Sequence, residues 1–89
     1  MVVFQYNLDW TMNVILTLPS NYQILNVGIQ NDKPVIWILV NPVESISVQQ
    51  LIIVVPTGYS EVPENATYIN TLQKSNGYVA HFFKGEIND

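Results

Sequence analysis

The chain has 89 residues, enough for one domain and too few for two. It has no cysteine and one histidine, which excludes disulfides and a Cys/His zinc site and leaves subunit association as the supplement that so small a core calls for. Only 11 % of the residues are charged, the net charge is −4 and arginine is absent, so Lys33, Lys74 and Lys84 make neither a duplex-DNA surface nor a polybasic membrane patch.

Strand periodicity dominates. Phe4, Tyr6 and Leu8 alternate with Gln5 and Asn7, and Val14, Leu16 and Leu18 repeat the period of two until Pro19-Ser20-Asn21 breaks it. Leu25, Val27 and Ile29 alternate with Asn26, Gly28 and Gln30, and Asn31-Asp32-Lys33-Pro34 then makes a cluster suited to a tight hairpin. Val35 to Val40 is continuously apolar. Residues 43–48 read as a polar connection, with weak propensity for a short helix within 42–50. Leu51 to Val55 is the second continuous apolar run, closed by Pro56-Thr57-Gly58, and 59–66 reads as an exposed loop. Tyr68 to Gln73 and Tyr78 to Phe83 flank Ser75-Asn76-Gly77, a strong hairpin signal, and Gly85 to Asp89 reads as a frayed tail.

The expected fold is one all-β domain over 1–89, a compact antiparallel meander or partial sandwich of about seven short strands, oligomeric. In the two continuous runs both strand faces are apolar. Each large side chain left in water would forgo roughly 1.5–3 kcal/mol, so a second sheet or another subunit must cover the second face. No segment has the pattern of a signal peptide or the length to span a bilayer, so the expected location is the cytoplasm, without membrane contact.

Catalytic constellations are hard to assemble. His81 is the only imidazole, read either as a ligand contact or general base or as a half-buried strand residue. No nucleophile motif accompanies it, and the seven carboxylates fall in turns, loops or the tail. There is no phosphate loop, dinucleotide fingerprint or metal cluster, so no cofactor and no enzyme activity is expected. The aromatic residues carry more. Rings near loop ends can stack on any nucleobase, and Tyr59, after the apolar strand, is either such a ring or interface packing. Thr57 and Gly58 can offer a hydroxyl and backbone N–H groups to a phosphate.

The ordered pieces from Ile24 to Asn31, from Lys33 to Pro42, then Thr57-Gly58, Tyr68-Ile69-Asn70-Thr71 and His81-Phe82-Phe83 resemble a large family of short tailed-phage proteins over nearly the whole chain. That family is identified here with phage anti-CBASS sponges, which trap the cyclic nucleotide of a bacterial defence system without cleaving it. The resemblance implies a cyclic dinucleotide ligand such as cyclic GMP–AMP and a homo-oligomer, with a tetramer favoured. The implied positions are Trp37, Thr57, Gly58, Tyr68, Thr71 and His81. Asn70 stands where the family pattern has glycine. To these the charge argument adds Lys74 or Lys84, because two phosphates need only one or two cations repeated by symmetry. Direct inhibition of a host defence protein and a structural or accessory virion role are the alternatives.

Overall fold

The computed structural model describes residues 1–58 and 61–87. Seven strands make two antiparallel sheets, and no helix occurs among the described residues. The strands are β1 (Val2–Asn7), β2 (Val14–Pro19), β3 (Gln23–Gln30), β4 (Lys33–Val40), β5 (Ser47–Pro56), β6 (Thr67–Gln73) and β7 (Val79–Gly85). One sheet has the order β1-β4-β3 and the other β2-β5-β7-β6. The thinnest dimension of the molecule is 16 Å, which suits two layers about 10 Å apart.

The strand order follows from apolarity. The two continuously apolar strands, β4 and β5, are interior to their sheets, where both edges are paired. Ile36, Ile38 and Val40 of β4 face Ile52 and Val54 of β5 and Phe82 of β7 in one core cluster, with Leu16, Leu18 and Val27. On the opposite face of β5, Ile53 and Val55 are also buried, flanked by their register partners Phe83 and His81. For this stretch of β5 the cover therefore comes from within one chain, while on the outer face of β4 Val35 is buried and Trp37 and Leu39 are half-buried.

The turns use the chemistry their residues offer. Asn31 and Asp32, at φ 54° and 62°, join β3 to β4 in a two-residue loop with both central residues left-handed. The β6–β7 turn is longer. Gly77 N–H donates to the Lys74 carbonyl at 2.9 Å and Lys74 N–H to the Tyr78 carbonyl at 2.7 Å. Gly77, at φ 92°, takes the left-handed position that ends this loop. The two hairpin tips meet: the Asp32 carboxylate accepts from Ser75 N–H (3.1 Å) and Ser75 Oγ (3.0 Å), and the Asp32 carbonyl accepts from Trp10 Nε1 (3.0 Å). These bonds close one end of the sandwich.

Three expectations need correction. The region 42–50 forms no helix, and β5 begins at Ser47, because Ser47 to Gln50 pair with β2, whose only partner is β5. Gln50 is buried there, its amide donating to the carbonyls of Leu51 (2.8 Å) and Gly85 (2.7 Å) and its oxygen accepting from Tyr22 OH. Burial raises the Tyr22 pKa, which keeps that phenol a donor. The tail starts later than Gly85, which is buried at the end of β7. Leu25 does not share a face with Val27. Ile24 pairs with Ile38 and Asn26 with Trp37, so Leu25 is the extra residue of a bulge and stands exposed.

The β1–β2 connection is held by Asp9, whose carboxylate accepts from Thr11 N–H (2.8 Å), Thr11 Oγ1 (3.0 Å) and Met12 N–H (3.0 Å). The Thr11 backbone bond is the leading cause that lowers its pKa below the ordinary aspartate range. A lowered folded-state pKa contributes stability that is complete above the unfolded value and is lost as pH falls through the folded one. An NMR titration of the Asp9 carboxyl is expected to show a midpoint below that of a free aspartate. In Asp9→Asn this part of the acid dependence of unfolding should vanish.

Candidate functional site

Four of the eight residues singled out from the sequence meet on the outer face of the four-stranded sheet. His81 lies on β7 between Val55 of β5 and Thr71 of β6. Its Nε2 is 2.8 Å from Thr57 Oγ1, and its Nδ1 is 2.8 Å from Thr71 Oγ1. Thr71 Oγ1 is in turn 2.6 Å from Tyr68 OH. The result is one continuous chain, Thr57–His81–Thr71–Tyr68, running from the residue after β5 across β7 to β6.

A backbone irregularity makes this chain possible. Residues 68 and 71 are three apart, and in a regular strand they would point to opposite faces. Tyr68 pairs with Phe83 but Asn70 pairs with Phe82, so Ile69 is the extra residue of a bulge. The phase slips by one, and both Tyr68 and Thr71 face outward. The Tyr68 ring then packs edge-on against Phe83, at 5.7 Å between centroids and 66° between planes. It remains 55 % exposed. Asn70 turns inward, where its Nδ2 donates to the Val27 carbonyl at 3.3 Å and joins edge β6 to edge β3 of the other sheet. A glycine at this position would have no side chain to make that bond.

With the imidazole in either of its neutral tautomers, the chain is directional. A threonine hydroxyl has one hydrogen, so Thr71 donates to one neighbour and accepts from the other. In one arrangement Tyr68 donates to Thr71, Thr71 to His81 Nδ1, and His81 Nε2–H to Thr57, which leaves the Thr57 hydrogen free. In the reverse arrangement Thr57 donates to Nε2, Nδ1–H to Thr71 and Thr71 to Tyr68, which leaves the phenol hydrogen free. The imidazole tautomer thus sets which end of the row offers a donor to a ligand.

Tyr68 also lines a cleft of about 420 Å³ at the corner where β3 and β6 approach, together with Tyr22, Ile24, Thr67 and Lys84. Lys84 Nζ sits 5.7 Å from the centre of the Tyr22 ring, a cation–π distance. Tyr68 therefore belongs both to the hydroxyl row on the outer face and to the rim of this corner cleft, in which Lys84 holds the inner-face register opposite Ile52. Periodicity alone misses Tyr22 and Lys84 as a pair, because Tyr22 lies in the β2–β3 connection and Lys84 on β7, far apart in the chain.

The other expected residues lie elsewhere. Trp37 is on the outer face of the opposite sheet, its Nε1 donating to Gln5 Oε1 at 3.1 Å. Its ring covers Gly28 so closely that a Cβ there would fall 2.5 Å from ring carbons. This is a packing role, and Trp37 is no part of the cluster. Lys74 sits in the β6–β7 turn with its ammonium 5.9 Å over the Trp10 ring, beside the core cluster rather than the outer face. Gly58, at φ 82°, follows Thr57 directly. Tyr59 lies outside the described residues.

Residues 1–88 match the family model described as a domain of unknown function, DUF7352. The chain belongs to that family. No curated protein and no solved structure matches this DUF7352 chain. Among its described residues no group of three or more His, Cys, Asp or Glu side chains is placed to hold a metal ion, and no helix is long and apolar enough to cross a membrane.

Thr71→Val keeps the shape of the side chain and strips His81 Nδ1 and Tyr68 OH of their shared partner. It is expected to cost about 1–2 kcal/mol in urea unfolding. Thr57→Val, at the exposed end of the row, should cost under about 1 kcal/mol.

Proposed function

We propose that this protein binds a small cyclic nucleotide without turning it over. In this reading it is a phage-encoded sponge that sequesters a cyclic dinucleotide defence signal such as cyclic GMP–AMP in the host cytoplasm and so blocks CBASS immunity. The observation that carries it is the hydrogen-bonded row Thr57–His81–Thr71–Tyr68 on the outer face, whose last residue also lines a corner cleft that holds Lys84. Base edges present donors and acceptors, and a row that can offer a donor at either end suits them. The Tyr68 ring can stack on a base of any identity. Lys84 supplies the charge a phosphodiester needs, in a chain that has little other positive charge. A homo-oligomer, with a tetramer favoured, would repeat these groups for the two halves of the ligand. The resemblance to short tailed-phage proteins supports the same reading.

One observation favours a hydrolytic alternative: the Thr57 hydroxyl lies 2.8 Å from His81 Nε2, the spacing of a nucleophile and its base. The imidazole's other nitrogen, however, meets the neutral Thr71 hydroxyl where such sites usually place a carboxylate to stabilise the imidazolium. Binding is the better use of the geometry.

Calorimetry against a panel of cyclic di- and trinucleotides is expected to find one tight binder, recovered intact after the complex is denatured. Tyr68→Ala should weaken that binding about ten- to a hundredfold with the thermal transition retained. The reading fails if no nucleotide binds, or if nucleotide is consumed in a way that His81→Ala abolishes.

A further inference from the structure

Each sheet has two edges, and their sequences treat them differently. Edges β3 and β6 both carry bulges, at Leu25 and Ile69, and lie against each other with the Asn70–Val27 bond between them. Edge β2 ends at Pro19. Natural edges are guarded by such devices, or by lysine, against pairing with another chain. Among the described strands β1, Val-Val-Phe-Gln-Tyr-Asn, is the one edge with none of them: no proline, no lysine, and an unbroken register from Val2 to Asn7 against β4. It is also greasy on both faces, with Val2 38 %, Val3 54 % and Phe4 42 % exposed.

The open main-chain groups of this edge can be identified. Leu8 N–H donates to the Pro34 carbonyl at 3.0 Å, in line with the β1–β4 register. Bonding direction alternates along a strand, so Val2, Phe4 and Tyr6 face β4, and the N–H and C=O groups of Val3, Gln5 and Asn7 point away from the sheet.

We infer that β1 is the seam by which two copies of this chain join, antiparallel, about a two-fold axis at Gln5. That register uses every open group: Gln5 pairs with the partner's Gln5, and Val3 with the partner's Asn7. It also sets Phe4 opposite the partner's Tyr6 and Val2 opposite the partner's Leu8 on the face that continues the core. A register centred on Phe4 would leave Asn7 without a β1 partner. The two-fold pairing satisfies every open group with the strand's own sequence, and charge does not oppose it. The strand carries no acidic or basic side chain, so the two-fold axis brings no like charges together in a protein of net charge −4. Seven paired residues on each strand make a seam only about 20 Å long and one strand wide, too narrow for the roughly 1,200 Å² that a standard stable interface buries. The dimer therefore dissociates on dilution.

The seam lies on the opposite sheet from the nucleotide row, so its test is independent of ligand binding. Sedimentation of the full chain without nucleotide should show the average mass rising from that of a monomer towards twice that value with concentration. Hydrogen exchange should show the amides of Val3, Gln5 and Asn7, and not those of β2, becoming protected over the same range. Val3→Pro removes an N–H that the monomer does not use, and Val3→Lys places a guard on the edge. Each should weaken association about tenfold or more with an unchanged far-ultraviolet spectrum. A monomer mass at every concentration, or association with the Val3, Gln5 and Asn7 amides still exchanging freely, overturns the inference. The exchange measurement decides it even if a variant fails to fold.

Discussion

The constraint on which the rest depends is that β4 and β5 must be dry on both faces. Neither strand has a polar side chain through its apolar run, so each must be interior to a sheet, and each must face another layer. The inner halves, Ile36, Ile38 and Val40 against Ile52 and Val54, form the core. The outer half of β5 is covered by ring and side-chain neighbours on β7, among them Phe83 and His81. His81 thus sits where it is for two reasons at once: its ring shields Val55, and its nitrogens are left to the flanking threonines. The polar row is what an apolar sheet face becomes when the edge strand β6 and the residue that follows β5 supply hydroxyls.

This arrangement moves the demand for a partner. An apolar run read alone implies that a second sheet or another subunit must cover its second face. In the folded chain the outer face of β5 is already covered at Ile53 and Val55, and the most open apolar strand is the edge strand β1, whose own sequence is less conspicuous. The proposed seam and the proposed ligand site occupy different sheets, so assembly can repeat the ligand site without blocking it.

Much of the architecture was legible because it depends on short-range pattern. Seven strands follow from alternation and apolar runs, and Asn31-Asp32 and Asn76-Gly77 mark their hairpins through residues that tolerate left-handed backbone. What could not be read is what depends on a slip of one residue or on which sheet a strand joins. The bulge at Ile69 decides that Tyr68 and Thr71 share a face, and nothing in Tyr-Ile-Asn-Thr announces it. The start of β5 at Ser47 depends on β2 needing a partner, a tertiary demand that overrides local polarity. Trp37 enters the candidate site through the resemblance and Lys74 through its charge, and the topology places them on the other sheet and at the hairpin end.

The central claim is that the Thr57–His81–Thr71–Tyr68 row is the surface that meets the nucleotide. Nitrogen-15 NMR of the His81 imidazole during titration with cyclic GMP–AMP, and then with the other cyclic nucleotides, addresses it most directly. The account expects one of them to shift both ring nitrogens, together with the amides of Thr57 and Thr71, in a saturable way. Saturating amounts of every nucleotide that leave the His81 resonances where they were, or binding whose shifts fall wholly elsewhere, would contradict it.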